Sequence, residues 1–390
     1  MSSVFKPPDS ALDGARRFDP IGGMQNHTHH LTIRLDQRGV SQTVITAHRP
    51  GAPKWQRIGS RSEVFRVGVP IPWFRQLYAL PAARTANRIA ARADLVHAHL
   101  GEDVAVLPIA YRAARRHGLP LVVTVHCSVR HTLSAVDVRT ALLKLIGGAV
   151  EGVLLPKADA VIALTERAAS AVGAVDDVRV HVIPPGADAS RFASPLPDPL
   201  TGVGRPRIVF VGRLARAKGI DVLISAARRL RCKAEVVIVG DGPERARLER
   251  EAASHANGRI HFTGFVPHEL VPAVLTHADV LVLPSRYEEL GSVLIDALQA
   301  RLPVVASAVG GIPSVVVDGE NGLTVRPGDA DELSMALDRV IGDGSLKARL
   351  ADGAAARAPL YSWDSVAERV MTVYEEVAGA PRAAMLASSP

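Results

Sequence analysis

Arg207-Ile208-Val209-Phe210-Val211-Gly212-Arg213-Leu214, followed by Ala215-Arg216-Ala217-Lys218-Gly219 and the helical pattern Ile220–Arg231, decides the fold. A short run rich in β-branched residues ends in a glycine turn, and an amphipathic run begins directly after it. That succession is the first half of a βαβ unit. It repeats outward in both directions. Downstream, strands are expected at Glu235–Val239, Ile260–Phe262, Asp279–Leu283, Pro303–Ser307 and Leu323–Val325. Upstream they are expected at Gln42–Ala47, Val64–Val67, Leu95–Ala98, Leu121–His126, Ala160–Leu164 and Arg179–Ile183. Such strands lack polar alternation, as expected of parallel sheets covered on both faces.

The pattern restarts across the irregular, Pro-rich stretch Ser194–Pro206. The reading is therefore two doubly wound α/β domains, residues 1–193 and 207–362, joined by a linker at 194–206. An amphipathic helix at 363–378 packs back toward the first domain, and 379–390 form a tail. Ligand sites in such domains lie at strand C-terminal ends, where helix N-termini offer free N–H groups, so a cleft between the domains is the expected site. The expected opening strand is poor: Met1–Pro20 offers only Ser3–Phe5.

A chain of 390 residues suits two such domains. With 47% hydrophobic and 22% charged residues it is neither disordered nor a disulfide scaffold. No run of about eighteen apolar residues predicts a membrane helix, and no signal peptide is read at the start. Cys127 and Cys232 read as thiols of a reducing cytoplasm. The net charge of +7 comes from an Arg-rich composition typical of a GC-rich genome. Its cations are scattered, with no basic stripe interleaved with aromatics, so nucleic acid is not an expected partner. Membrane association is not expected either; Arg112, Arg115, Arg116 and His117 form the one modest basic patch on a helix.

Four constellations carry chemistry. Gly22-Gly23 precedes the helix starting near Met24, where backbone can approach a phosphate. Gly212 and Arg213, with Lys218 and Gly219, place two cations around a helix start, a fork and a mobile point charge for phosphate oxygens. Glu288 and Asp296 flank Leu290-Gly291-Ser292 at the next strand-to-helix turn; the carboxylates could accept from sugar and ribose hydroxyls, and the amides face a diphosphate. His126 ends an apolar strand, where it could meet a sugar hydroxyl. Cys127 points to the opposite face, which argues against a Cys–His nucleophile. His27, His29 and His30 crowd one helix without a carboxylate or Cys partner, so no metal site is read there. Asp329-Ala330-Asp331 resembles an acidic metal pair but precedes a helix and reads as its cap.

Together and in this order, these elements resemble the retaining glycosyltransferases of family 4, which have the two-Rossmann-domain GT-B architecture. The resemblance spans about residues 20–378. It also includes Ile183-Pro184-Pro185-Gly186-Ala187-Asp188 with Arg191-Phe192, Val309-Gly310-Gly311 and Asn321-Gly322-Leu323. It implies that Arg213 and Lys218 grip the donor diphosphate; no metal is expected, because this cation pair comes with no convincing acidic metal site. It further implies that Glu288 and the Leu290–Ser292 backbone hold the sugar, and that Asp296 holds the ribose. His126 would sit near the reacting sugar, and Gly22-Gly23 would approach the phosphate or acceptor. The family has Glu where this chain has Asp296. Within the family, Phe18–Gln25, Thr124–Ser128, Leu164–Arg167 and Glu288–Gly291 look like enzymes glycosylating 2-deoxystreptamine in aminoglycoside antibiotic pathways.

The resemblance thus implies a metal-independent hexosyltransferase moving glucose or N-acetylglucosamine from a UDP-sugar to an aminocyclitol hydroxyl. Glu102, Asp103 and Glu166, just beyond expected strand ends, are the candidates for the acceptor's ammonium groups. The competing readings are transfer to phosphatidylinositol or another lipid, and nucleotide-sugar epimerisation.

Overall fold

The computed structural model describes residues 23–48, 51–69, 78–101, 103, 105–126, 138–173, 178–193, 195–254 and 259–379. The chain divides into two compact units. Met1–Pro185 joins Trp363–Pro390 in the first, and Gly186–Ser362 forms the second.

In the first unit the described elements run α1 (Gly23–Gln37), β1 (Gln42–Ala47), β2 (Trp55–Ile58), β3 (Ser62–Val67), α2 (Ala79–Ala90), β4 (Val96–Leu100), α3 (Val106–His117), β5 (Leu121–Val125), α4 (Val138–Leu154), β6 (Ala160–Ala163), α5 (Glu166–Gly173) and β7 (Val180–Val182). Strands β4-β5-β6-β7 form a parallel sheet in that order, and β1-β3-β2 form a second sheet. β2 runs antiparallel to β3, a departure from the all-parallel expectation. Its four residues alternate too briefly and lie too near the surface to stand out in sequence. The hairpin turn is held from outside, by Asp36 accepting from the Ser60 and Arg61 amides at 3.0 and 2.7 Å.

The second unit contains β8 (Arg207–Val211), α6 (Ile220–Ala227), β9 (Glu235–Val239), α7 (Arg245–Ala253), β10 (Ile260–Gly264), α8 (Val271–Thr276), β11 (Val280–Leu283), α9 (Ser292–Gln299), β12 (Val304–Ser307), α10 (Ile312–Val315), β13 (Gly322–Val325), α11 (Ala330–Gly342) and α12 (Gly344–Arg357). Its six strands are all parallel in the order β10-β9-β8-β11-β12-β13. Successive residues of β8 enter different apolar clusters: Ile208 and Phe210 pack with α6 and α9, and Val209 packs with Leu200, Val237 and Val274. That is why the strand reads as an unbroken apolar run.

The expected linker, 194–206, is described from residue 195. Its described residues, 195–206, belong to the second unit. The buried Arg207 side chain gathers them, donating to the Leu200 and Val203 carbonyls at 2.9 and 2.6 Å and pairing with Asp198 at 2.7 Å. The units divide instead at Pro185/Gly186. After the second unit the chain returns to the first as α13 (Trp363–Ala378), which packs on α1. Trp363, Val366, Val370 and Val373 close one core with Leu31 and Leu35 of α1, Val122 of β5 and Ile162 of β6.

Candidate functional site

In the second unit the strand order reverses direction between β8 and β11, which are neighbours in the sheet but not in the chain. Loops leaving the carboxyl ends of strands at such a reversal frame a crevice that serves doubly wound sheets as a ligand site. Here those loops are 212–219 and 284–291, the two stretches read in sequence as the diphosphate and sugar loops.

They are fastened to each other. The Arg286 and Tyr287 amides both donate to the Ala217 carbonyl, at 2.8 and 3.1 Å. Arg286 forks onto Asp221 of α6 at 2.6 and 2.8 Å. Gly219 sits at φ +65°, and any Cβ there would collide with the Pro284 carbonyl oxygen. The third loop joins through the Gly311 amide, which donates to the Glu289 carbonyl at 3.0 Å.

Lys218 and Glu288, assigned separately to phosphate and sugar, are brought together: Lys218 Nζ donates to Glu288 Oε2. Ser285 Oγ lies 3.4 Å from the same oxygen. Arg213 behaves differently. It is exposed, and its guanidinium has no hydrogen-bond or ion-pair partner among the described residues. Gly212 continues the strand pairing, its amide donating to the Val239 carbonyl at 2.9 Å.

Gly291, at φ +79°, starts α9, and no side chain caps the helix. The Leu294 amide donates to the Gly291 carbonyl at 2.9 Å, so the Ser292 and Val293 amides are the ones left for an acceptor from outside. Leu290 is buried beneath them. Asp296 lies on the same helix, 8% exposed, and its carboxylate accepts no hydrogen bond among the described residues. Burial raises its pKa to about 6, against the opposing pull of the Arg191 charge. Arg191 itself is anchored on His268, through that residue's carbonyl and ring Nε2. The carboxylates Asp329 and Asp343, by contrast, cap α11 and α12.

In the first unit His126 follows β5, its amide held by the Leu100 carbonyl at 2.9 Å. Its Nε2 lies 3.1 Å from Nδ1 of His99 on β4. His97, two residues earlier on the same face of β4, bridges Tyr374 of α13 at 2.6 Å and Thr124 of β5 at 2.8 Å. His27 of α1 meets the His126 ring edge-on at 4.8 Å, and its Nδ1 is buried without a partner. Burial lowers the pKa of all four imidazoles, His27 to about 3, so they are neutral around pH 7. The sequence reading grouped His27 with His29 and His30; the fold groups it with His99 and His126 instead. Ligand atoms of these three lie within 4.8 Å of one another. A tetrahedral zinc with bonds of about 2.0–2.1 Å sets its ligand atoms roughly 3.3 Å apart, a spacing that the His99–His126 pair at 3.1 Å approaches. His97 and His99 were missed in sequence, although the His-x-His alternation on a strand places both on one face.

The proposed acceptor residues have local partners or open surface. Asp103 accepts from the Ala105 amide at 2.9 Å, ahead of α3. Glu166 is exposed in the first turn of α5, where Thr165 Oγ1 accepts from the Ala168 amide. No hydrogen bond or ion pair links either carboxylate to His126 among the described residues. Glu102, Gly22 and Cys127 lie outside the described residues, and Gly23 opens α1.

Two Rossmann-like α/β units, the second with cations, carboxylates and a helix start at its switch point, define the class: a glycosyltransferase of GT-B fold. Residues 21–191 match the model of Glycosyltransferase Family 4, and 198–357 match that of Glycosyl transferases group 1. The chain is 32% identical to an alpha-D-kanosaminyltransferase of Streptomyces kanamyceticus, over 89% of this chain and 99% of that protein. It is 34% identical to a 2-deoxystreptamine N-acetyl-D-glucosaminyltransferase of Streptomyces fradiae, over 84% of each. Among solved structures, a sucrose-phosphate synthase of Thermosynechococcus elongatus shares the fold, with a TM-score of 0.77 at 24% identity over 97% of this chain and 99% of that one. The chain belongs to the family 4 glycosyltransferases. No helix among the described residues is long and apolar enough to cross a membrane.

Proposed function

We propose that this enzyme transfers a hexose, glucose or N-acetylglucosamine, from a UDP-sugar to a hydroxyl of 2-deoxystreptamine, with retention at the anomeric carbon and without a divalent metal. The observation that carries the donor half is the cation pair at the switch point of the second unit. Arg213 has no partner among the described residues, and Lys218 is held at its turn by Glu288. A departing UDP gathers negative charge, and pre-placed cations and helix amides are the groups that stabilise it. Asp296 accepts from the ribose hydroxyls, and Glu288 with the Leu290–Ser292 backbone accepts and donates to the sugar. His126 meets a hydroxyl of the reacting sugar as a neutral imidazole.

The acceptor half draws support from the 2-deoxystreptamine transferase among the relatives and from the motif strings around His126 and Glu288. A polycationic acceptor calls for carboxylates on an otherwise basic protein, the role given to Glu102, Asp103 and Glu166. The setting proposed is the cytoplasm, where UDP-sugars are made.

The test is incubation with UDP-glucose or UDP-N-acetylglucosamine and either 2-deoxystreptamine or phosphatidylinositol vesicles. Products are read by mass spectrometry, and the anomeric configuration by NMR. An α-linked glycoside of 2-deoxystreptamine formed in the presence of EDTA is expected. Product only on the lipid, acceptor-free epimerisation of the donor, or complete loss with EDTA would each overturn the corresponding part.

A further inference from the structure

The histidine cluster of the first unit contains more than one substrate-facing residue needs. His126 offers two ring nitrogens. Nε2 is taken by His99 Nδ1 at 3.1 Å, and Nδ1 has no partner among the described residues. With both rings neutral, that contact holds one proton, so one nitrogen donates and the other accepts. Whichever way it lies, the character of His126 Nδ1 is then decided: an acceptor if Nε2 carries the proton, a donor if it does not.

His99 is itself held. It is 8% exposed, on a strand paired on one side with β5, and its ring lies 4.3 Å from that of His97. His97 in turn is pinned between Tyr374 and Thr124. The edge of His27 against His126 limits rotation from the other side. The result is a chain of contacts from α13 through two strands to one ring, which packing alone would not call for.

We propose that His99 is a positioning residue for transfer, fixing the tautomer and ring plane in which His126 presents Nδ1 to the substrate. This rests on the reading that His126 meets the reacting sugar. It concerns how that ring is made ready, which a catalytic histidine elsewhere would achieve with a carboxylate or carbonyl.

The experiment joins two measurements. In 15N-histidine spectra of the whole chain, His126 should show the nitrogen shifts of one neutral tautomer, and His99→Leu should average them. In transfer assays, His99→Leu should lower kcat at least tenfold while changing the donor KM less than twofold. His99→Asn keeps a polar atom near the Nδ1 position and should stay within about threefold of wild type. Adding His99→Leu to His126→Ala should cost nothing further. Averaged tautomers in the wild type would overturn the proposal, as would losses that multiply in the double variant. An Asn variant no better than Leu, or stoichiometric zinc bound across His99 and His126 after dialysis against zinc sulfate, would also overturn it. The spectra of the wild type decide even where a variant fails to fold. Full activity of His126→Ala would overturn the underlying reading instead, while tautomer loss in His99→Leu would still support the positioning itself.

Discussion

Lys218 and Glu288 form an ion pair across two loops that leave adjacent strands of the second sheet, whereas Arg213 on the first of those loops has no partner among the described residues. Removing each cation therefore has different consequences. Arg213→Ala and Lys218→Ala should both lower turnover about a hundredfold, the effect of losing one charge-stabilising donor at about 3 kcal/mol. Only Lys218→Ala should also lower the melting temperature, because it leaves a nearly buried carboxylate uncompensated. Pairing Lys218→Ala with Glu288→Gln should restore the melting temperature but not turnover. Equal melting shifts for the two alanine variants would contradict the division of roles.

In the proposed donor site, Asp296 should give donor binding a pH dependence. Its pKa is raised to about 6, so it loses its charge as pH falls through that value. If the carboxylate is the form that accepts both ribose hydroxyls, UDP-glucose affinity should fall about tenfold between pH 7 and pH 5. The donor's phosphodiester groups do not titrate there. Calorimetry should find that Asp296→Asn binds weakly with a flat profile.

The same shift has the opposite sign for stability. A carboxyl raised above its ordinary range stabilises the fold fully at pH below that range and loses the contribution as pH rises through 6. Asp296→Asn should therefore be more stable than wild type at pH 8, by on the order of 2–3 kcal/mol, and no more stable at pH 4. A variant less stable at pH 8 would show that the carboxylate has a compensating partner.

Gly219 lets the loops 212–219 and 284–291 approach each other closely. Gly219→Ala faces both a left-handed φ and a collision with the Pro284 carbonyl. It should cost roughly 1–3 kcal/mol of stability and weaken UDP binding, although it removes no side chain. Differential scanning calorimetry and UDP titration on one sample check both.

On the acceptor side, charge and capping can be separated. Asp103→Asn keeps an oxygen for the Ala105 amide, so it tests charge alone, as Glu166→Gln does on an exposed site. Both should raise the 2-deoxystreptamine KM several-fold while leaving UDP affinity unchanged. An unchanged KM in both would remove these residues from the acceptor site.

What could be read beforehand follows from how far each signal reaches along the chain. Strand, glycine turn and helix start lie within Arg207–Arg231, and Glu288 to Asp296 within one loop and helix, so their placement was legible locally. The pairing of Lys218 with Glu288 was not, because it depends on β8 and β11 being neighbours, which is a matter of sheet order. His99 escaped for a related reason: its significance comes from His126 on another strand, and that of His97 from Tyr374 at the far end of the chain. The setting of the expected linker turns on one residue. Pro and Gly marked 194–206 as irregular, but only the fold reveals Arg207 collecting its carbonyls.

The return of α13 to the first unit has a consequence for biosynthesis. A ribosome releases α1, β5 and β6 long before Trp363, Val366 and Val370, so the apolar face they share stays unsealed while the whole second unit is made. The second unit is contiguous and can complete its sheet first. The first unit can close its core only when the last helix has been made. The contact of His97 with Tyr374 is then among the last in the first unit to form.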